Sequence, residues 1–100
     1  MTLRWMVFED TSFVVGDDGA VINIMDNLSS GTSYHRASGY IACDGVGSIG
    51  VQIAETPNDY CDQMLLKAGE VISLDQSRIG YIKLNYIADS AYRIVVIPVE

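Results

Sequence analysis

The sequence contains very little of what catalysis and metal binding require. It has one histidine and two cysteines in 100 residues, and histidine is the side chain that most often serves in general acid–base catalysis. His35 lies in a stretch rich in serine and glycine, which is typical of an exposed loop. Two cysteines and one histidine without ligand-like spacing do not form a zinc site. We therefore expect neither an enzyme nor a metal site.

Motifs for nucleophilic catalysis and phosphate binding are also missing. No G-x-S-x-G turn occurs, and His35 is the only base candidate for the serines. Residues 45–50, GVGSIG, superficially resemble a glycine-rich nucleotide loop, but such a loop opens a helix. Here the sequence continues into the alternating SIGVQIA, which predicts a turn followed by a strand. No cofactor is expected.

The chain also lacks long apolar runs and clustered positive charge. No stretch approaches the ~20 apolar residues that span a bilayer, and the first ten residues hold too short an apolar run for a signal peptide. Thirteen acidic against six basic residues give a net charge of −7, which repels phosphate backbones. We therefore expect a cytosolic product without a membrane or nucleic-acid partner, with Cys43 and Cys61 as free thiols.

What the sequence does contain is a series of short runs in which apolar and polar residues alternate. Such runs, each ended by turn signals, are typical of strands that pack one face on a core. After Ser38 the runs are GYIAC, GSIGVQIA, EVISL, IGYIKLNYI and AYRIVVIPV. The last is apolar on both faces, as expected of a central or an interface strand.

Three shorter candidate strands come first in the chain: LRWMVF, SFVV and AVINIM. Asp17, Asp18 and Gly19 separate the last two, and Asp-Asp-Gly is a good tight-turn sequence because glycine tolerates positive φ. We therefore expect Ser12–Met25 to form a hairpin. Altogether the pattern predicts one all-β domain, an antiparallel β-sandwich or jelly-roll of about eight short strands.

One segment, Thr56–Gly69, does not follow the strand pattern. It carries helix punctuation, with a capping threonine, a proline at the first position and a final glycine. One interpretation is a short helix over 57–67. The other is a turn at 57–59 followed by a strand over 63–67, and the family resemblance described below favours it.

Surplus apolar residues and tyrosines indicate a binding surface. The hydrophobic fraction is 49% and six residues are tyrosines, and tyrosine suits half-buried positions at interfaces. The alternative is ordinary strand tyrosines, since tyrosine has high β propensity. We predict that residues 1–10 form an arm that contacts a neighbour, and that residues 11–100 form the sandwich. The expected interface residues are Trp5, Met6, Phe8, Tyr34, Tyr81 and Tyr92.

Residues 38–99 resemble small head-decoration and capsid-accessory proteins of bacteriophages. The resemblance lies in the order of the runs, in the turn Ala68-Gly69-Glu70 and in the closing Ser90-Ala91-Tyr92-Arg93. It implies a non-enzymatic virion structural protein without a cofactor, which is assembled in the host cytoplasm and stabilises the capsid from its outer surface. The implied partners are the major capsid protein and further copies of the chain, as a trimer or larger. The same texture occurs in carbohydrate-binding sandwiches and in phage neck, tail or fibre modules, so a glycan-binding or host-adhesion module is the alternative.

Overall fold

The structure, a computed structural model, describes residues 5–24 and 36–99 as eight strands and one short 3-10 turn. The strands are β1 (Met6–Phe13), β2 (Ala20–Asn23), β3 (Arg36–Cys43), β4 (Ile49–Ala54), β5 (Met64–Leu66), β6 (Val71–Arg78), β7 (Tyr81–Tyr86) and β8 (Ser90–Val99). The 3-10 turn is Val15–Asp17. This confirms the predicted all-β fold of about eight short strands.

The strands form two antiparallel sheets of four. Sheet A has the order β1-β8-β3-β6, and sheet B has the order β2-β7-β4-β5. β8 lies between β1 and β3, which confirms that this strand, apolar on both faces, is a central one. Alternate residues of β7 and β8 are buried between the sheets, as the period of two requires.

The core is built from these inward-facing residues. Phe13 of β1 is fully buried, and its ring meets the ring of Tyr92 edge to face at 5.7 Å between centroids. Each large apolar side chain that is fully buried contributes roughly 1.5–3 kcal/mol. The largest of these side chains are Phe13, Ile24, Ile41, Ile49, Ile79, Ile82, Leu84 and Ile94.

The hairpin predicted across Asp17-Asp18-Gly19 is wrong. β1 pairs with β8 in sheet A, whereas β2 pairs with β7 in sheet B, so the segment between them crosses from one sheet to the other. The two acids hold this crossing in place: the Asp17 carboxylate accepts from the Val14 N–H at 3.0 Å, and the Asp18 carboxylate accepts from the Tyr86 N–H at 2.8 Å. The sequence Asp-Asp-Gly suits a tight turn, but here its side-chain hydrogen bonds stabilise a connection between the two sheets.

The boundary predicted between an arm and the sandwich also differs from the structure. Residues 6–10 form the first part of β1, paired in register from Met6 opposite Val96 to Asp10 opposite Tyr92. Met6 is buried because this register turns it toward the core. The sheet therefore begins at Met6 and not at residue 11.

Residues 55–70 contain a turn and a strand, as the second of the two interpretations predicted. The chain turns near Asn58, whose φ is 66°, and then forms β5 with Leu66 buried. The following turn is closed by the Glu70 N–H, which donates to the Lys67 carbonyl at 2.9 Å, and Gly69 takes a φ of 79°. The described residues of this segment form no helix.

Candidate functional site

The outward side of sheet A carries an apolar row across three neighbouring strands. Val7 of β1 lies opposite Val95 of β8, and Val95 lies opposite Tyr40 of β3. Their chain neighbours Met6 and Ile94 face the core, so the row itself points away from the core. Val7 is 59% exposed, while Val95 and Tyr40 are half-buried.

Two further rows complete this surface. Arg93 lies between Glu9 of β1 and Ala42 of β3, and Ala42 lies opposite Val71 of β6. Next to the first row on its other side, Ile97 lies opposite Ser38. The outer face of sheet A is defined here as Val7, Glu9, Ser38, Tyr40, Ala42, Val71, Ser73, Arg93, Val95 and Ile97.

Trp5 extends this surface at its edge. It precedes β1 by one residue and is 59% exposed. The alternation of the strand places it on the same side as Val7. A large aromatic side chain thus adjoins the exposed end of the apolar rows.

The charges on the outer face offset one another. Arg93 Nε lies 3.2 Å from Asp44 Oδ2, and the Arg93 guanidinium lies over the Tyr40 ring at 5.6 Å from its centroid. Glu9 is the cross-strand neighbour of Arg93 on the other side. The ion pair is exposed and is worth at most about 1 kcal/mol. The positive charge of Arg93 offsets the neighbouring acids, so this surface carries little of the chain's net charge of −7.

A shallow groove of about 410 Å³ opens on the outer face. Tyr40 and Val71 give it apolar walls, and Asp44, Ser73 and Arg93 place polar atoms at its margin. Its volume lies within the range of small-ligand sites, and its lining mixes an aromatic ring with hydrogen-bonding groups.

The outward side of sheet B is partly covered by the protein itself, although Val21 and Leu65 remain 51% and 53% exposed there. Residues 55–63 fold over it: the Cys61 N–H donates to the Ile53 carbonyl at 2.9 Å, and Gln52 Nε2 donates to the Cys61 carbonyl at 3.1 Å. Gln63 packs so closely on Gly50 that an added Cβ would lie 2.5 Å from its side chain. The middle of this sheet's outward side is therefore in contact with residues 60–63 of the same chain.

The side chains beneath that segment are polar. Asn85 Nδ2 donates to Gln52 Oε1 at 2.7 Å and to Gln63 Oε1 at 2.9 Å, and Lys83 Nζ lies 5.5 Å from the centre of the Tyr60 ring. Amides paired with one another have less need of an external partner. Sheet A differs from sheet B in that an apolar row crosses three neighbouring strands on its outward side.

A second cavity, of about 500 Å³, lies at the end of the sandwich between residues 11–14, 44–46 and 89–91. Asp44 and Asp89 face it, and the Tyr86 hydroxyl donates to Asp89 at 2.8 Å. That hydrogen bond raises the pKa of the Tyr86 phenol above its usual value. Within residues 5–24 and 36–99, no three acidic, cysteine or histidine side chains are grouped so that they could hold a metal ion.

Both cysteines are free thiols, as predicted. Cys43 is buried in the core, where its thiol lies 3.1 Å from the Gly47 carbonyl as donor. Cys61 is exposed, and its sulfur accepts from the Ile53 N–H at 3.2 Å. Cys43 therefore packs in the core, whereas Cys61 lies against β4.

The predicted interface residues do not form one surface. Trp5 is exposed beside the outer face of sheet A, Phe8 is half-buried, and Tyr81 is half-buried on the outward side of sheet B. Met6 and Tyr92 are each only 7% exposed and pack in the protein's own core. Tyr34 lies outside the described residues, as does His35.

The residues at the centre of the outer face are not among the interface residues predicted from the sequence. Val95 and Ile97 could have been predicted, because the last strand is apolar on both sides. If one of these sides packs on the core, the other presents apolar side chains outward. Nothing in the sequence distinguishes Tyr40 from the other tyrosines. Its position became apparent only from the pairing of β3 with β8.

Comparisons with protein-family models, with curated proteins and with solved structures found no match. Among the described residues there is also no helix with the length and apolar character to cross a membrane. The geometry of the outer face is thus the main support for a functional proposal.

Proposed function

We propose that this protein is a non-enzymatic structural protein of a virion, which docks onto the outer surface of a capsid shell and self-associates there. The observation that carries the proposal is the outer face of sheet A, where an apolar row crosses three strands, Val7 and Val71 are more than half exposed, and Glu9 and Arg93 offset each other in charge. Monomeric soluble proteins rarely expose contiguous apolar patches of large area without a partner. The resemblance of residues 38–99 to phage decoration proteins supports a capsid as that partner.

The proposed mechanism is adhesion. A sheet face with an apolar row fits another protein surface, and Trp5 and Tyr40 supply aromatic side chains of the kind that dominate binding energies at interfaces. Copies joined to one another bind a repetitive shell through several weak contacts at once, which raises the overall affinity. Opening of the shell must then break these contacts, and the major capsid protein is stabilised.

The test is co-assembly with the major capsid protein encoded in the same genome. Shells assembled from that protein are mixed with the purified chain and sedimented, and the chain is expected in the pellet at a fixed ratio to the capsid protein. Shells carrying the chain are expected to resist heat or low salt better than bare shells. A source genome without a capsid gene, or a chain that stays in the supernatant at every concentration, would contradict the proposal.

A second candidate function, glycan binding, is favoured by the groove beside Tyr40. An aromatic ring flanked by Asp44, Ser73 and Arg93 suits a sugar ring, which stacks on the aromatic and bonds to the polar margin. The Arg93 guanidinium already lies over the Tyr40 ring and competes for that stacking position, so docking on protein is preferred. A glycan array probed with the native chain and with Tyr40→Ala separates the two: glycan signals that disappear in the variant would favour the second function.

A further inference from the structure

We propose that two copies of this chain pair antiparallel along β1, so that their A sheets join into one continuous eight-stranded sheet. The inference rests on the self-association included in the proposed function and specifies its contact. β1 ends sheet A, and no described strand pairs with its other edge. An open strand edge offers a row of backbone donors and acceptors to another chain.

Of the four sheet edges, β1 has the least protection against pairing. The edge strands of sheet B have four and three residues, and short edges resist added strands. β6 is longer, but its pairing is irregular opposite Ala37–Gly39 and Gln76 takes a φ of 49°. β1 runs regularly from Met6 to Asp10, and its only irregularity lies between Asp10 and Phe13. It contains neither proline nor lysine, which commonly guard an edge, and its two acids, Glu9 and Asp10, lie at the end of the regular stretch.

Burial along β1 also indicates a missing neighbour. Phe8 lies opposite the fully buried Ile94 and packs against the core, yet it is only partly buried itself. A two-fold axis at Val7 would place the partner copy's Met6 beside Phe8, and the partner copy's Val7 beside Val7. Apolar cross-strand pairs of this kind stabilise antiparallel sheets.

The charges permit this pairing. With the axis at Val7, Glu9 faces Trp5 of the other copy, and no acid lies opposite another acid between residues 5 and 9. Glu9 is also offset within its own chain by its cross-strand neighbour Arg93. The repulsion expected from a net charge of −7 per copy is therefore weak at this edge.

The contact places two outer faces side by side. Val7 and Trp5 stand at the margin of the face in one copy, and at the centre of the joined surface in two. Such a contact is two-fold and gives a dimer or an assembly of dimers. A simple dimer differs from the trimer or larger assembly that the resemblance implies, whereas an assembly of several dimers agrees with it.

The first test is the solution mass of the full chain by light scattering over a concentration series. The native chain is expected at about twice its 10.9 kDa at high concentration, and Val7→Lys at the mass of one chain. The matched control is Val71→Lys, because Val71 is 53% exposed on the same face at the opposite edge; it is expected to remain dimeric. A native chain that is monomeric throughout or trimeric, or a control that dissociates equally, would overturn the proposal.

The second test is a cross-link that reports the register. In a Cys61→Ser background, Val7→Cys is treated with diamide, which takes two electrons and two protons from a pair of thiols as their disulfide forms. A covalent dimer is expected, whereas Val71→Cys in the same background stays monomeric. Neither test uses a capsid shell, so the two proposals can fail separately. A chain that stays monomeric but sediments with capsids would overturn only the pairing along β1. A chain that dimerises but does not sediment with capsids would overturn only the docking.

Discussion

Replacing Gly39 with alanine is expected to prevent the domain from folding. Gly39 lies in β3, between β8 and β6 in the middle of sheet A, and has a φ of 142°. Side chains rarely adopt this conformation, and a Cβ here would overlap the Val95 carbonyl oxygen. The strained backbone alone costs on the order of 1–3 kcal/mol, and the overlap forces the central strands apart. The sum is a large part of the ~5–15 kcal/mol that stabilises a small domain.

Urea unfolding followed by circular dichroism measures the effect. Gly16→Ala is the control, because nothing lies within 4 Å of an added Cβ there, and it is expected to change the free energy of unfolding by less than about 0.5 kcal/mol. Equal midpoints for the two variants would contradict the backbone conformation described for β3.

Replacing Val95 with glutamate is expected to abolish docking on capsid shells. Val95 lies at the centre of the apolar row, with Val7 and Tyr40 on the adjacent strands. A carboxylate there would have to lose its water on docking without a partner charge, and burial of an unpaired charge costs several kcal/mol. We expect binding to weaken on the order of 100-fold or more, since 1.4 kcal/mol corresponds to a factor of ten.

The measurement is the fraction of chain that sediments with shells as its concentration is raised. Val21→Glu is the matched control: it introduces the same charge at an exposed position of β2 in sheet B, and it is expected to bind as the native chain does. Light scattering first confirms that both variants keep the native mass. Equal sedimentation of the two variants would mean that docking does not use the outer face.

The parts of the fold that the sequence predicted are those fixed by local alternation. Ile49 and Val51 of β4 and Ile82 and Leu84 of β7 are all fully buried, as a period of two requires when one face packs on a core. The last strand is apolar on both faces and lies between β1 and β3, as is typical of a central strand. In each case the information lies within the strand itself.

The parts that could not be predicted depend on long-range pairing. The sequence between β1 and β2 has the composition of a tight turn, but Phe13 is buried beside Tyr92 in sheet A while β2 extends sheet B. Both arrangements satisfy the local residues, and only the distant partners decide between them. The same holds for Met6, which is a core residue because Val96 lies opposite it.

The candidate site depends even more on pairing. The outer face combines side chains from four strands that are far apart in the sequence, and its central residues become neighbours only through the registers of β1, β8 and β3. Aromatic composition pointed to a binding surface but could not separate Tyr40 on this face from Tyr92 in the core. The prediction, which used residue type, therefore included the buried Tyr92 and omitted Tyr40.

Hydroxyl-radical footprinting of the native chain, free and bound to capsid shells, tests the central claim most directly. Trp5 and Tyr40 report on the side of sheet A, while Tyr60 and Tyr81 in the same sample report on the side of sheet B. Docking through the outer face predicts that labelling of Trp5 and Tyr40 falls several-fold on the shell, with Tyr60 and Tyr81 unchanged. Protection of Tyr60 and Tyr81, with Trp5 and Tyr40 still labelled, would contradict it.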